Sequence, residues 1–153
     1  MKKDLVQVKN PRSKQYVKID RDKGEIVGHS KKPYKGIRIA SRKQKGRELQ
    51  KLVGRKISEA IDLPFGVDCP IESRPMGQSG TDIRLDSTAL KLFKYSVECK
   101  CQETFSIPSW IEQAKANQIE GTEWLLVVGK NRFKPIVVLD LDVFFKLFKK
   151  AQG

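Results

Sequence analysis

One histidine and three cysteines leave this 153-residue chain little with which to build a soft-metal or redox centre. A structural zinc site takes about four nitrogen or sulfur ligands, and three cysteines cannot all pair within one chain. Cys99 and Cys101 alternate along one segment and would lie on the same strand face, so free thiols in a reducing cytoplasm are expected. No long apolar run is present, which argues against a membrane span or a membrane partner. Met1-Lys2-Lys3 leads into Asp4-Leu5-Val6, too polar for a secretory signal, and the expected location is the cytoplasm. There is no internal repeat and no low-complexity segment beyond a lysine bias.

Acidic residues are also scarce: 18 Asp and Glu face 31 Lys and Arg, for a net charge of +13. The imbalance is local. Residues 1–45 carry 15 Lys and Arg against Asp4, Asp20, Asp22 and Glu25, a net +11, whereas residues 46–153 carry only +2. Charge this concentrated favours a polyanionic partner, of which nucleic acid is the commonest, over an ordinary solvated basic surface.

The chain divides by pattern into a basic N-terminal arm, 1–44, and a domain, 45–153. Residues 1–15 read as irregular or mobile, with Asn10-Pro11 as a turn signal. Tyr16–Ile19 and Glu25–Gly28 suit a β-hairpin closed by Asp22-Lys23-Gly24. The stretch 30–45 is basic, offering Lys31, Lys32, Lys35, Arg38, Arg42, Lys43 and Lys45 as phosphate contacts, with Arg47 just beyond. Tyr34 either stacks on a base or packs on the domain. His29 follows the hairpin and is either a base or simply exposed.

Leu49, Leu52, Val53, Ile57, Ala60 and Ile61 recur at helical spacing, predicting a helix over 45–61 stopped by Leu63-Pro64. Residues 65–80, rich in Gly and Pro, predict short strands and loops, with Arg74 and Ser79 either touching phosphate or serving an ordinary connection. Asp86–Leu92 reads as a link with a helical turn. Ser109-Trp110-Ile111-Glu112 has the capping-box pattern and predicts a helix from there to about Glu120, stopped by Gly121. Trp124–Val128 and Pro135–Leu139 are apolar runs expected to be strands buried on both faces, joined by a hairpin loop at 129–133. A last helix covers 141–150. Helices flanking a central mixed β-sheet make an α/β domain.

The chemistry concentrates at 82 and 94–102. Tyr95, Val97, Cys99 and Cys101 alternate with Ser96, Glu98, Lys100 and Gln102, a strand with Glu98 and Lys100 on one face. Asp82 alternates likewise in Gly80–Leu85. If the two strands are neighbours, Asp82, Glu98 and Lys100 meet. Two close carboxylates resist ionising together unless a cation lies between them, and hard oxygen donors suit Mg²⁺. A lysine beside that ion orients or deprotonates an attacking water. The alternative is a surface Glu-x-Lys on an edge strand.

This order of elements resembles the restriction-endonuclease-like fold of the PD-(D/E)xK nuclease superfamily over about residues 43–150. Glu98-Cys99-Lys100 resembles its (D/E)xK strand and Asp82 its upstream Asp, with Thr81 in place of the name-giving Pro. Lys45-Gly46-Arg47-Glu48 and Gln113-Ala114 resemble the Holliday-junction resolvase branch, and the basic arm looks like an addition seen in phage-type nucleases. The resemblance implies Mg²⁺, with Mn²⁺ able to substitute, on Asp82, Glu98 and the Cys99 backbone carbonyl, with Glu48 direct or through water. It implies Lys100 activating the water and Gln113 orienting the Lys or the phosphate. It further implies an endonuclease for branched DNA, acting as a homodimer in a cytoplasm (the host's, if phage-encoded). Two other readings stand beside it: a non-catalytic nucleic-acid-binding protein, and a nuclease of the same superfamily acting on linear or nicked DNA.

Overall fold

The computed structural model describes residues 4–40, 42–75 and 77–153, with the side chains of Arg42 and Lys43 left aside. The chain divides into two units, Met1–Lys45 and Gly46–Gly153.

The first unit is a four-stranded sheet in the order β3-β2-β1-β4, built from β1 (Leu5–Lys9), β2 (Tyr16–Asp20), β3 (Glu25–Ser30) and β4 (Arg38–Ile39). The expected hairpin is β2–β3. The expectation that residues up to 15 are irregular is corrected: Leu5–Lys9 pairs antiparallel with Tyr16–Asp20, and β4 joins β1 in parallel. The polar residue that obscured β1 is the one that holds it in place. Gln7 is buried, and its amide donates to the Tyr34 and Ile37 carbonyls and accepts from the Tyr34 N–H. A buried amide with its groups bonded avoids the desolvation cost that an unpaired one carries.

The second unit runs α1 (Arg42–Ile61), β5 (Ile71–Ser73), β6 (Ile83–Leu85), α2 (Ser87–Leu92), β7 (Tyr95–Cys101), α3 (Ile107–Ala116), β8 (Glu123–Lys130), β9 (Phe133–Val138) and α4 (Leu141–Ala151), α1 beginning just before the boundary. Among the described residues, β5-β6 form one sheet and β7-β8-β9 another, β7 and β8 parallel and β8 and β9 antiparallel. Among the described residues the architecture is mixed α/β with several sheets and four helices.

Alternation along β7 and β8 separates two cores. Leu49, Val53 and Ile57 of α1 cluster with Ile71, Ile83, Leu85, Val97, Cys99 and Val127. Trp110 and Ala114 of α3 cluster with Trp124, Leu126 and Val128 on the opposite face. The strand face bearing Glu98 and Lys100 is therefore the α3 face. Gly54 lies in the middle of α1 because the Phe65 ring occupies the space a Cβ would take. That contact offsets the roughly 1 kcal/mol that glycine costs inside a helix.

Three expectations about this unit need correction. α1 begins at Arg42 rather than Lys45, which puts Glu48 in its second turn. α3 begins at Ile107 with Pro108 in its first turn and ends at Ala116, so Ser109-Trp110-Ile111-Glu112 lies inside the helix and caps nothing. β8 is buried, but β9 is an edge strand with Lys134 to Val137 exposed. Pro135, which lacks an N–H, suits an edge position.

Candidate active site

Asp82 is set by the turn that precedes it. Arg74 donates from Nε to the Thr81 carbonyl at 2.7 Å, and its backbone N–H donates to the Asp82 carbonyl at 2.7 Å. Gly80, at φ 103°, has no Cβ to obstruct the Arg74 guanidinium lying over it. Thr81 is buried and donates its hydroxyl to the Ile83 carbonyl. The Asp82 N–H then donates to the Val97 carbonyl at 2.9 Å, which ties this segment to the edge of β7.

On that edge the Cys99 N–H donates to Asp82 Oδ2 at 2.7 Å. The N–H and C=O of one strand residue point to the same edge, so the Cys99 carbonyl lies on the edge of β7 that Asp82 joins. A side-chain hydrogen bond from Gln50 of α1 completes the surroundings of the carboxyl. Burial pushes the Asp82 carboxyl up from 3.8 to about 6, against the lowering effect of the Cys99 N–H, and the nearby Glu98 charge adds to the rise. The Cys99 thiol is likewise raised, first by burial and then by the two carboxylates. It stays a core thiol, and all three cysteines are free.

Glu98 is almost fully buried, with 3% of its surface exposed. Lys100 Nζ lies 2.9 Å from its Oε1 and donates at 2.7 Å to Gln113 Oε1. Asn117 Nδ2 donates to Glu98 Oε2 at 3.3 Å. Gln113 and Asn117 are one helical turn apart, the spacing that brings side chains to one helix face, so the end of α3 holds both charged residues of the strand.

The structure thus joins Asp82, Glu98, Lys100 and Gln113 around β7. Among the described residues no three His, Cys, Asp or Glu side chains form a group that could hold a metal ion, and Glu48 is half-buried on α1. The α1 residue that reaches Asp82 is Gln50. Gln50, Val53 and Ile57 share one helical stripe, and an amide within an apolar stripe was the available signal for it. Asn117 was hidden by reading α3 through to Glu120. Arg74 braces the turn. Ser79, Lys31, Lys32, Lys35, Arg38 and Arg47 are exposed, and Lys45 is half-buried. Tyr34 packs on its own unit, its ring beside Gly28 and under Lys18 Nζ at 4.7 Å. His29 is exposed. Arg42 and Lys43 lie outside the described side chains.

The donor set fits a hard divalent cation: two carboxylates, one of them held back from ionising by burial and by the other's charge, and a backbone carbonyl on the same edge. Glu98 would exchange a donor from Lys100 or Asn117 for the ion. No family model, curated protein or solved structure matches the chain. Among the described residues no helix is long and apolar enough to cross a membrane.

Proposed function

We propose that the chain is a Mg²⁺-dependent endodeoxyribonuclease of the PD-(D/E)xK kind that cuts branched DNA as a homodimer. The observation that carries this reading is the Lys100 ammonium held between Glu98 and Gln113, one residue along β7 from the N–H that binds Asp82. A lysine fixed at a carboxylate pair, on a chain of net charge +13, suits phosphodiester hydrolysis better than a purely structural role does.

Asp82, Glu98 and the Cys99 carbonyl would hold Mg²⁺, or Mn²⁺ in its place; the bound ion supplies Lewis-acid stabilisation of charge on the phosphate. Lys100, as an ammonium, orients the attacking water, whose proton leaves to solvent. Gln113 would keep the ammonium in place beside a metal-bound Glu98, and Asn117 would fix the second oxygen of Glu98. Gln50 and the Cys99 N–H orient Asp82. The basic residues from Lys31 to Lys45, with Arg47 and Ser79, bind the DNA backbone. The restriction-endonuclease-like central sheet belongs to this proposal, supported by the Asp82 to Val97 hydrogen bond that lays the β5–β6 hairpin beside β7.

The homodimer reading draws on α4. Val143 is its one buried residue, whereas Leu141, Phe144, Phe145, Leu147 and Phe148 are exposed, Leu141 by 72%. Ile136 and Val137 of β9 are exposed too. A two-fold axis near Phe145 would pair two α4 helices antiparallel, with the acidic start at Asp142 close to the partner's basic end at Lys149. Two sites related by that axis match the two opposed cuts that a four-way junction requires.

The test is cleavage of linear, nicked and four-way DNA with Mg²⁺, with Ca²⁺ and with a chelator. Mg²⁺-dependent cutting that prefers the junction is the expected outcome. No cutting of any substrate rejects the enzyme, and equal cutting of plain duplex rejects the junction preference.

A further inference from the structure

The sheet register gathers the acids of the first unit at one end. Leu5 pairs with Asp20, and Asp20 with Glu25. Asp4, Asp20, Asp22 and Glu25, the unit's only acids, therefore gather at this end. They have work there: Asp4 pairs with Arg21, and Asp20 accepts the N–H groups of Asp22 and Lys23.

At the opposite end Lys9 pairs with Tyr16, and Tyr16 with Ser30. Two loops leave from these adjacent strand ends, one carrying Arg12 and Lys14, the other starting with Lys31 and Lys32. With Lys9, they give five exposed cations and no acid. Both loops are built rather than loose. Asn10 accepts the N–H groups of Arg12 and Ser13 on its side chain and that of Lys14 on its carbonyl, and Lys14 sits at φ 59°. Ser30 Oγ accepts the Lys32 N–H, and Gln7 clamps the same segment at Tyr34 and Ile37.

We infer that this end of the β3-β2-β1-β4 sheet is a preorganised nucleic-acid phosphate-binding surface, made by Lys9, Arg12, Lys14, Lys31 and Lys32. It binds the backbone through cations on fixed loops, and the acidic end of the same sheet faces away from the polyanion. This specifies the DNA contact of the proposed function, and it adds Lys9, Arg12 and Lys14 to the basic residues evident from charge density alone. Binding through fixed loops loses less conformational freedom than binding through a mobile tail.

The experiment uses the full chain, without Mg²⁺, and a labelled short DNA duplex titrated at several salt concentrations. Each phosphate contact contributes about 0.9 to the slope of log K against log salt. Arg12→Gln with Lys14→Gln, and separately Lys31→Gln with Lys32→Gln, should each flatten the slope by about 2 and weaken binding severalfold. Arg21→Gln with Lys23→Gln removes the same charge from the acidic end and should change the slope by less than about 0.5. Circular dichroism checks that each variant is folded. Equal slopes for all three pairs overturn the inference, as does binding to anionic lipid vesicles with no binding to DNA. Because no cleavage is measured, failure here leaves the catalytic reading standing, and failure of cleavage leaves this surface standing.

Discussion

Asp82 Oδ2 accepts the Cys99 N–H at 2.7 Å, so the carboxylate is bonded to the strand residue that lies between Glu98 and Lys100. Sixteen residues of chain, including α2, separate Asp82 from Cys99, yet one hydrogen bond fixes their spacing. The substitutions below follow from that arrangement.

Asp82→Ala, Glu98→Ala and Lys100→Ala should each lower Mg²⁺-dependent DNA cleavage by at least about a hundredfold, the loss typical of removing a group that acts on the transition state. DNA affinity should stay within a few fold, since phosphate contacts by Lys and Arg dominate it. Single-turnover cleavage and anisotropy on the same preparations check both. Wild-type cleavage in any one of the three rejects the site.

Asp82→Asn should stabilise the fold at neutral pH while abolishing cleavage. The folded Asp82 carboxyl is raised to about 6, so the fold favours its protonated form. Its contribution is present in full below the unfolded value near 4 and is lost as pH rises through about 6. Asn escapes that loss, worth at most about 3 kcal/mol. Thermal unfolding should show the variant more stable above pH 6 and the gap closing toward pH 4. A gap that widens on acidification contradicts the assignment.

Asn117→Ala should lower kcat by about 10- to 100-fold with KM little changed, as outer partners of metal-binding carboxylates do. Asn117→Asp should be worse, because it sets a like charge against Glu98. Unchanged kcat in both variants would show that Lys100 and Gln113 hold Glu98 without help.

Gly54→Ala should destabilise the protein by about 1–3 kcal/mol despite the better helix propensity of alanine, because the new methyl displaces the Phe65 ring. Pairing it with Phe65→Leu should recover part of the loss. Denaturant unfolding checks both, and a stabilised single variant would place the ring elsewhere.

Phe145→Glu with Phe148→Glu should convert a dimer to a monomer, as read by light scattering at micromolar concentration. These exposed residues support no core, so the secondary structure should be unchanged. A wild-type chain that is monomeric at that concentration rejects α4 as the interface.

The strand at 95–101, the core stripe of α1, the β2–β3 hairpin and the Asp82, Glu98, Lys100 set were legible in the sequence. Each is written in a local period or a short motif, and strand or helix geometry converts that period directly into a shared face. What stayed hidden depends on which surfaces meet. Leu5–Lys9 became a strand because Gln7 found its amide partners around Tyr34 and Ile37, more than twenty residues away. Pro135–Leu139 read as a strand buried on both faces, and only the sheet order, which leaves β9 at an edge, shows that Ile136 and Val137 are left uncovered. Gln50 and Asn117 entered the site because the rotation of α1 and the end of α3 are set by packing against β7 and β8. Hydrophobicity fixes which residues go inside; the place of each polar side chain among them is decided by hydrogen bonds between distant parts of the chain, which no local pattern encodes.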